Sequence, residues 1–313
     1  MKFPTQKPTL VVITGPTAVG KTALCVQIAK HFNTEIISCD SRQFYKELAI
    51  GTAKPSVKEM DGVKHHFIDS HSINVDFNVN DFEKEALTIL EELFKTHQFV
   101  ILTGGSGLYI DILCDGFDEE VPGSDKAIRL EIEQLYSKYG IEILQEKLKQ
   151  LDPEFYKEID LSNYKRLERA IEVCLLTGKK YSEIRKGTKQ ERPFNILKIG
   201  LERDRIELFD RINQRVDIMM QQGLLEEAKS VAQYKNKNAL KTVGYAELFD
   251  YFDGKCTLEE ACEKIKVNSR KYAKRQMAWF NKNDVYTQFH PKKMKELIIF
   301  IESKQFNSLT VSE

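Results

Sequence analysis

The sequence predicts a mixed α/β protein with a parallel-sheet core, an all-helical insertion domain and a helical C-terminal part. Two apolar stretches, 10–14 and 99–103, are each followed at once by a glycine-rich turn and a helical pattern, which is typical of buried parallel strands. Residues 118–190 then show helical periodicity without strand character, and strand character returns at 196–201. An interruption of this kind between two strand-bearing halves indicates an inserted domain.

Length and composition fit this division. The chain has 313 residues, of which 42% are hydrophobic, enough for a core of more than one domain. We predict that 1–117 and 191–313 form the first and second parts of the core and that 118–190 is the insertion. Because 47 basic and 47 acidic residues give a formal net charge of zero, any nucleic-acid binding must come from local basic patches.

Six cysteines show neither a C-x-x-C pair nor zinc-ligand spacing, so we expect reduced, mostly buried thiols. The first residues lack signal-peptide architecture, and no apolar run approaches the length of a membrane span. These observations predict a soluble, cytoplasmic protein without a membrane partner, which we expect to be a monomer. The cysteines are Cys25, Cys39, Cys114, Cys174, Cys256 and Cys262.

The first glycine-rich turn has the spacing G-x-x-x-x-G-K-T, between a predicted strand and a predicted helix. Such a turn is a phosphate loop, in which backbone N–H groups and the helix dipole attract an anion. Lys21 would reach a terminal phosphate, and the Thr22 hydroxyl would hold Mg²⁺. An ordinary turn with two glycines is the alternative, which the full spacing disfavours. The predicted phosphate-binding residues are Gly15, Pro16, Thr17, Ala18, Val19, Gly20, Lys21 and Thr22.

Two further strand ends should lie at the same edge of the sheet. A short strand at 35–38 leads to Asp40, and the strand at 99–103 leads to a second glycine-rich turn containing Ser106. In open α/β sheets, ligands bind beyond the carboxyl ends of the strands, so we expect Asp40 and Ser106 near the phosphate loop. The pair His65 and His66 suggests a metal, but without a third ligand at familiar spacing a structural or substrate-positioning role is favoured.

The rest of the chain is predicted to be mainly helical. In the insertion, helices are expected at 127–139, 141–151 and 164–177, the last ending at Gly178, and they would form a lid or clamp for a large ligand. Farther on, Arg211 and Arg215 share one helix face. The stretch 264–282 is basic, with interleaved aromatic residues, and charge alone allows either an RNA-binding or a solvated face. The tail after 284 is expected to be peripheral.

The residues alone leave the reaction open. A phosphate loop usually binds ATP or GTP, but a nucleoside triphosphatase would normally place an acidic residue at the end of an apolar strand. The strand at 99–103 ends in glycines instead, and Asp40 is left to act as a general base on a second substrate. Phosphoryl transfer and group transfer from a phosphorylated donor therefore both remain possible at this point.

Nine segments together resemble the tRNA dimethylallyltransferase family, in family order and across about 10–280. They are 15–22, 40–43, 50–55, 65–66, 104–109, 166–173, 211–217, 243–245 and 273–276. The resemblance implies transfer of a dimethylallyl group from its diphosphate to N6 of adenosine 37 in tRNAs that read codons beginning with U. It implies Asp40 as the general base, the phosphate loop with Mg²⁺ at Thr22 as the diphosphate site, and catalytic roles for Arg215 and Ser106, where the family usually has Thr.

The resemblance also implies the tRNA contacts. The target adenine would be flipped out of the anticodon loop and would bind at 40–43. Two further segments would hold the surrounding anticodon stem-loop. Lys165 stands where the family commonly has Gln, which favours contact with phosphate. The implied contact residues are Asp40, Ser41, Arg42, Gln43, Ser106, Arg129, Lys165, Arg166, Leu167, Glu168, Arg169, Lys241, Thr242, Val243, Gly244, Tyr245 and Ala246.

Three other functions compete with this interpretation. An isopentenyltransferase acting on free AMP or ATP would share the phosphate loop and Asp40 but need less RNA-binding surface. A phosphate-loop small-molecule kinase would turn over ATP. A non-catalytic RNA-binding protein is disfavoured because Lys21, Thr22 and Asp40 are all present.

Overall fold

The computed structural model describes residues 7–116, 121–187, 189–281 and 285–306, with only the backbone described at 305 and 306. The chain divides into two compact units. The first combines Met1–Cys114 with Arg192–Glu313, and the second is Asp115–Glu191. Within the described ranges, no helix combines the length and apolar character needed to cross a membrane.

The first unit contains a six-stranded sheet in which every strand pair is parallel, which confirms the predicted α/β class. The strands are β1 (Thr9–Thr14), β2 (Ile36–Ser38), β3 (His65–His66), β4 (Phe99–Gly104), β5 (Asn195–Leu201) and β6 (Thr287–Phe289). Their order across the sheet is β3-β2-β4-β1-β5-β6. The strands that precede the phosphate loop, Asp40 and Ser106 are therefore neighbours.

The helices begin and end close to the predicted positions wherever periodicity was strong. In chain order they are α1 (Lys21–His31), α2 (Val57–Met60), α3 (Val79–Leu93), α4 (Gly107–Asp115), α5 (Lys126–Tyr139), α6 (Glu142–Leu151), α7 (Pro153–Glu158), α8 (Tyr164–Thr177), α9 (Tyr181–Ile184), α10 (Arg205–Gln221), α11 (Leu224–Ser230), α12 (Tyr245–Phe252), α13 (Leu258–Phe280) and α14 (Met294–Phe306), with short 3₁₀ turns at Ala232–Tyr234 and Asn238–Leu240.

Strand β1 forms the centre of the core because both of its faces are buried. Val11 and Ile13 pack into one apolar cluster, whereas Leu10 and Val12 pack into a second cluster on the opposite face. Alternation of this kind is what a parallel strand covered by helices on both sides requires. The phosphate loop at its end is thus anchored on a rigid element.

The described part of the second unit is built of helices and contains no strand. Its interior is formed by apolar residues of α5, α6, α7 and α8, including Ile132, Leu144, Phe155 and Ile171. Helix α8 ends at Gly178, whose φ of 67° is the left-handed conformation that glycine adopts readily at a helix C-terminus.

The C-terminal tail is not peripheral, and this expectation was wrong. Strand β6 pairs with β5 at the edge of the sheet. In α14, Leu297 and Ile301 are one turn apart, and both are buried in the cluster that also covers Val11 and Ile13. The tail therefore completes one face of the core.

Candidate active site

The phosphate loop runs from the end of β1 to the first turn of α1. The Lys21 ammonium folds back over this loop, where it donates hydrogen bonds to the carbonyl oxygens of Gly15 at 2.8 Å and Pro16 at 3.0 Å. Burial lowers the pKa of Lys21 to about 8, although the nearby negative charge of Asp40 opposes this shift. Lys21 is thus a partly buried cation that would gain from an anionic partner.

Three arginines hold three consecutive residues of the loop. The Nε of Arg203 donates to the Val19 carbonyl at 2.7 Å, and the Nε of Arg211 donates to the Ala18 carbonyl at 2.9 Å. The Nη1 of Arg215 lies 3.4 Å from the Thr17 hydroxyl. Burial and the neighbouring charge of Arg211 lower the pKa of Arg215. The structure therefore brings Arg215 to the loop, beside Arg211 and Arg203, and sequence reasoning missed Arg203.

Asp40 follows β2 and lies against the end of β4. A Cβ atom at Gly104 would lie 2.5 Å from Cys39 Sγ and 2.9 Å from the Asp40 nitrogen, so this approach requires glycine. The Asp40 carboxylate accepts a hydrogen bond from the Arg42 N–H at 3.1 Å. Burial raises the pKa of Asp40, while that N–H and the charge of Lys21 oppose the rise. A carboxylate with raised proton affinity is suited to accept a proton.

Ser106 fixes the chain next to Asp40. Its hydroxyl oxygen accepts the Ser41 N–H at 3.2 Å and lies 3.3 Å from the Ser41 hydroxyl. The three strand ends also share one pocket in the first unit, which is lined by Lys21, Thr22, Cys25, Ser38, Asp40, Gln43, Pro55, His65, Ile68, Thr103 and Gly104. The structure thus brings the phosphate-loop lysine and the predicted base to the same pocket.

Gln276 on α13 is a site residue whose role sequence reasoning did not identify. Its Oε1 accepts the Thr17 N–H at 2.8 Å, and its Nε2 donates to the Gly105 carbonyl at 3.0 Å. The residue is 5% exposed. The only sequence signal was its place in one of the family-like segments, 273–276. Gln276 therefore links the phosphate loop to the turn that carries Ser106.

Glu227 on α11 organises the loop that follows Asp40, and sequence reasoning missed it as well. Its carboxylate accepts the N–H groups of Ala49, Ile50 and Gly51 at 3.1, 2.8 and 2.9 Å. It also accepts the Tyr245 hydroxyl at 2.6 Å. The loop in turn positions Gln43, because the Gln43 amide donates to the carbonyls of Thr52 and Ala53 at 3.1 and 3.2 Å.

The segment 241–246, expected to hold tRNA, is partly internal. Gly244 and Tyr245 are buried, Thr242 and Val243 are half-buried, and Lys241 and Ala246 are exposed. Because the Tyr245 ring packs inside and its hydroxyl meets Glu227, its side chain supports the loop from within. Direct tRNA contact by this segment remains a prediction for its exposed members.

The predicted tRNA-contact residues of the second unit differ in exposure and in their partners. Lys165 and Arg166 are exposed, whereas Leu167 and Glu168 are buried. The Lys165 ammonium donates to the Glu168 carboxylate at 2.9 Å. Arg129 and Arg169 instead bond to the buried Glu172, with distances of 2.9 Å from Arg129 Nε and 2.7 Å from Arg169 Nη1. Burial alone would raise the pKa of Glu172, but these hydrogen bonds hold it below its usual value. Arg129 and Arg169 therefore have a structural partner, and their tRNA contacts remain predictions.

The pocket offers the donor chemistry that Mg²⁺ prefers. Oxygen-bearing side chains line it, among them Thr22, Ser38, Asp40 and Thr103, and Mg²⁺ in such sites usually binds few protein oxygens together with substrate phosphates. Within the described ranges, no group of three or more His, Cys, Asp or Glu side chains forms a metal site. His66 instead lies with Nε2 2.6 Å from a Glu35 carboxylate oxygen.

Comparison with known proteins assigns the chain to a family. The sequence profile described as IPP transferase matches residues 43–283. A tRNA dimethylallyltransferase of Flavobacterium johnsoniae is 52% identical over 281 residues, covering 88% of this chain and 91% of that protein. The tRNA dimethylallyltransferase 1 of Bacteroides fragilis is 48% identical over 295 residues, covering 94% and 98%. The chain belongs to the IPP transferase family.

Solved structures of IPP transferases share the fold. The full-length tRNA isopentenylpyrophosphate transferase from Bacillus halodurans aligns with a TM-score of 0.72 and 39% identity, covering 96% of this chain and 98% of that one. A eukaryotic dimethylallyltransferase acting on tRNA aligns with a TM-score of 0.78 and 26% identity, covering 96% and 80%. The family resemblance and the phosphate-loop α/β fold expected from the sequence are therefore confirmed.

Proposed function

We propose that this IPP transferase moves the dimethylallyl group of dimethylallyl diphosphate to N6 of adenosine 37 in tRNAs that read codons beginning with U. The observation that carries the proposal is that Lys21 and Asp40 line one pocket. A partly buried cation suited to a diphosphate therefore lies beside a carboxylate suited to take a proton. The relatives named for tRNA dimethylallyl transfer support the choice of substrates.

The donor diphosphate would occupy the phosphate loop. Lys21 and Arg215 both contact this loop, and both have lowered pKa values because of burial, so an anion would relieve the cost of their charges. The arginine fork also suits phosphate oxygens. When Mg²⁺ is bound at the Thr22 hydroxyl, it supplies further positive charge to the diphosphate oxygens.

The acceptor amine would lie next to Asp40. As N6 forms a bond to the allylic carbon, the bond from that carbon to the diphosphate oxygen breaks, and diphosphate leaves with the bonding electrons. The Asp40 carboxylate takes the N6 proton. Ser106 assists by holding Ser41, so that the segment 40–43 keeps its position against β4.

The tRNA would present its adenine by flipping it out of the anticodon loop into the pocket. Gln43 lines the pocket and is fixed by two backbone carbonyls, which suits recognition of the flipped base. The exposed Lys165, Arg166 and Lys241 would contact the phosphates of the stem-loop.

We further propose that the enzyme works as a monomer in the cytoplasm. All six cysteines are free thiols, which suits the reducing cytoplasm.

The test compares three acceptors in the presence of dimethylallyl diphosphate and Mg²⁺. Unmodified tRNA with adenosines at positions 36 and 37 should gain a mass of C₅H₈, whereas free AMP and ATP should not. Replacement of adenosine 37 by guanosine in the same tRNA is the matched control and should abolish the gain. Prenylation of AMP alone would contradict the proposal in favour of a free-nucleotide enzyme. ATP hydrolysis without prenylation would indicate a kinase.

A further inference from the structure

One face of α13 runs along the rim of the candidate site. Tyr272, Gln276 and Trp279 lie four and three residues apart, which places them on the same helical face. Gln276 contacts both Thr17 and Gly105. Burial and the negative charge of Asp40 both raise the pKa of Tyr272. The next position along this face is Trp279.

Trp279 covers the turn directly after Ser106. A Cβ atom at Gly107 would lie 2.5 Å from Cδ1 of the indole, so the ring rests on the glycine backbone. The indole Nε1 donates to an Asp111 carboxylate oxygen at 3.1 Å, which fixes one edge of the ring. Even so, the residue is 40% exposed. A large aromatic ring, partly open to solvent, is thus held in a fixed position against Gly107, the residue after Ser106.

We propose that the exposed surface of Trp279 stacks on a nucleobase next to the target adenosine. This inference rests on the proposed function and extends its substrate site. When an adenine is flipped out, its neighbours in the loop lose a stacking partner, and an indole is a good replacement. Arg275, exposed and one helical turn before Trp279, supplies positive charge for the adjoining phosphates.

The chain contains a single tryptophan, so its fluorescence reports on this position alone. An unmodified anticodon stem-loop RNA should quench the fluorescence of the wild-type enzyme in a saturable manner. Two further stem-loops should be compared, one without the base at position 36 and one without the base at position 38. One of the two should fail to quench the fluorescence, because stacking needs a base. Absence of quenching at saturating RNA would overturn the inference. Quenching caused by the dimethylallyl diphosphate alone, with no further change on RNA addition, would also overturn it by placing the donor at the ring.

Variants supply a second readout. Trp279→Ala should raise the KM for the stem-loop roughly 5- to 150-fold, the range expected for one lost stacking contact, with the KM for the donor unchanged. Trp279→Phe should recover most of the loss. Val267→Ala, which truncates an exposed apolar side chain on the same helix, is the matched control and should behave as wild type. If wild-type enzyme prenylates tRNA but Trp279→Ala keeps a normal KM for RNA, the stacking inference fails while the proposed function stands.

Discussion

Gln276 accepts a hydrogen bond from the backbone N–H of Thr17 at 2.8 Å, although 259 positions of chain separate the two residues. The other end of the same amide donates to Gly105 at 3.0 Å. One buried side chain thus fixes the phosphate loop relative to the turn that carries Ser106. The donor and acceptor sides of the proposed reaction are positioned by the same group.

Replacing Gln276 by Met should therefore lower catalytic efficiency, beyond any loss that follows from a lower stability of the fold. The change keeps the apolar stem but leaves the partly buried Thr17 N–H and the buried Gly105 carbonyl without this partner. The unsatisfied Gly105 carbonyl alone would cost about 1–3 kcal/mol. We expect kcat/KM for dimethylallyl diphosphate to fall about tenfold or more. Steady-state kinetics would measure this fall in kcat/KM. Lys271→Met, at an exposed position on the same helix, is the control. Unchanged kcat/KM in Gln276→Met would contradict this role.

Glu227 should contribute mainly to stability. Its carboxylate accepts four hydrogen bonds, three of them from consecutive backbone N–H groups, and hydrogen bonds to a charged group are the stronger kind. Glu227→Gln replaces one acceptor oxygen by a donor, so the free energy of unfolding should fall by about 2–4 kcal/mol. Denaturant unfolding would measure the change. Tyr245→Phe removes one of the four bonds and should cost about 1 kcal/mol. Equal losses in the two variants would show that the backbone contacts contribute little.

The pH dependence should reflect Lys21. Its pKa is lowered to about 8, so the ammonium form predominates below pH 8 and is lost as the pH rises through that value. Binding of the diphosphate needs the charged form, so kcat/KM for the donor should decline above about pH 8. The decline should be weaker in kcat, because bound diphosphate raises the pKa of the lysine again. A pH profile of both parameters tests this. Lys21→Arg should lack the decline, and a flat wild-type profile up to pH 10 would contradict it.

The central strands and the phosphate loop could be predicted because their signals are local. An apolar run such as 10–14, followed by glycines at fixed spacing, identifies its own element. The edge strands β3 and β6 have two and three residues, too few for a period to be seen. Leu297 and Ile301 do lie at helical spacing, and that signal in the tail was overlooked.

Site residues could be predicted from the sequence where a residue's chemistry and its motif together indicate its role. Lys21, Asp40 and Arg215 fall in recognisable motifs, and the structure places all three at the phosphate loop or its pocket. Gln276 gains its role from partners that lie 171 and 259 positions away in the chain. Glu227 binds Tyr245 and also three backbone N–H groups that lie 176–178 positions away. Such contacts depend on how helices pack and leave no pattern in a single sequence.

The most direct test of the proposed function is Asp40→Asn. The amide keeps the shape of the side chain but cannot take the N6 proton, so turnover on tRNA should fall roughly 10²- to 10⁴-fold. Binding of dimethylallyl diphosphate, measured by calorimetry, should persist because the phosphate loop is intact. Asp61→Asn, which changes an exposed aspartate, should retain full activity. Near-normal turnover by Asp40→Asn would contradict the assignment of Asp40 as the general base. A loss of turnover caused only by weaker binding of the donor would contradict it as well.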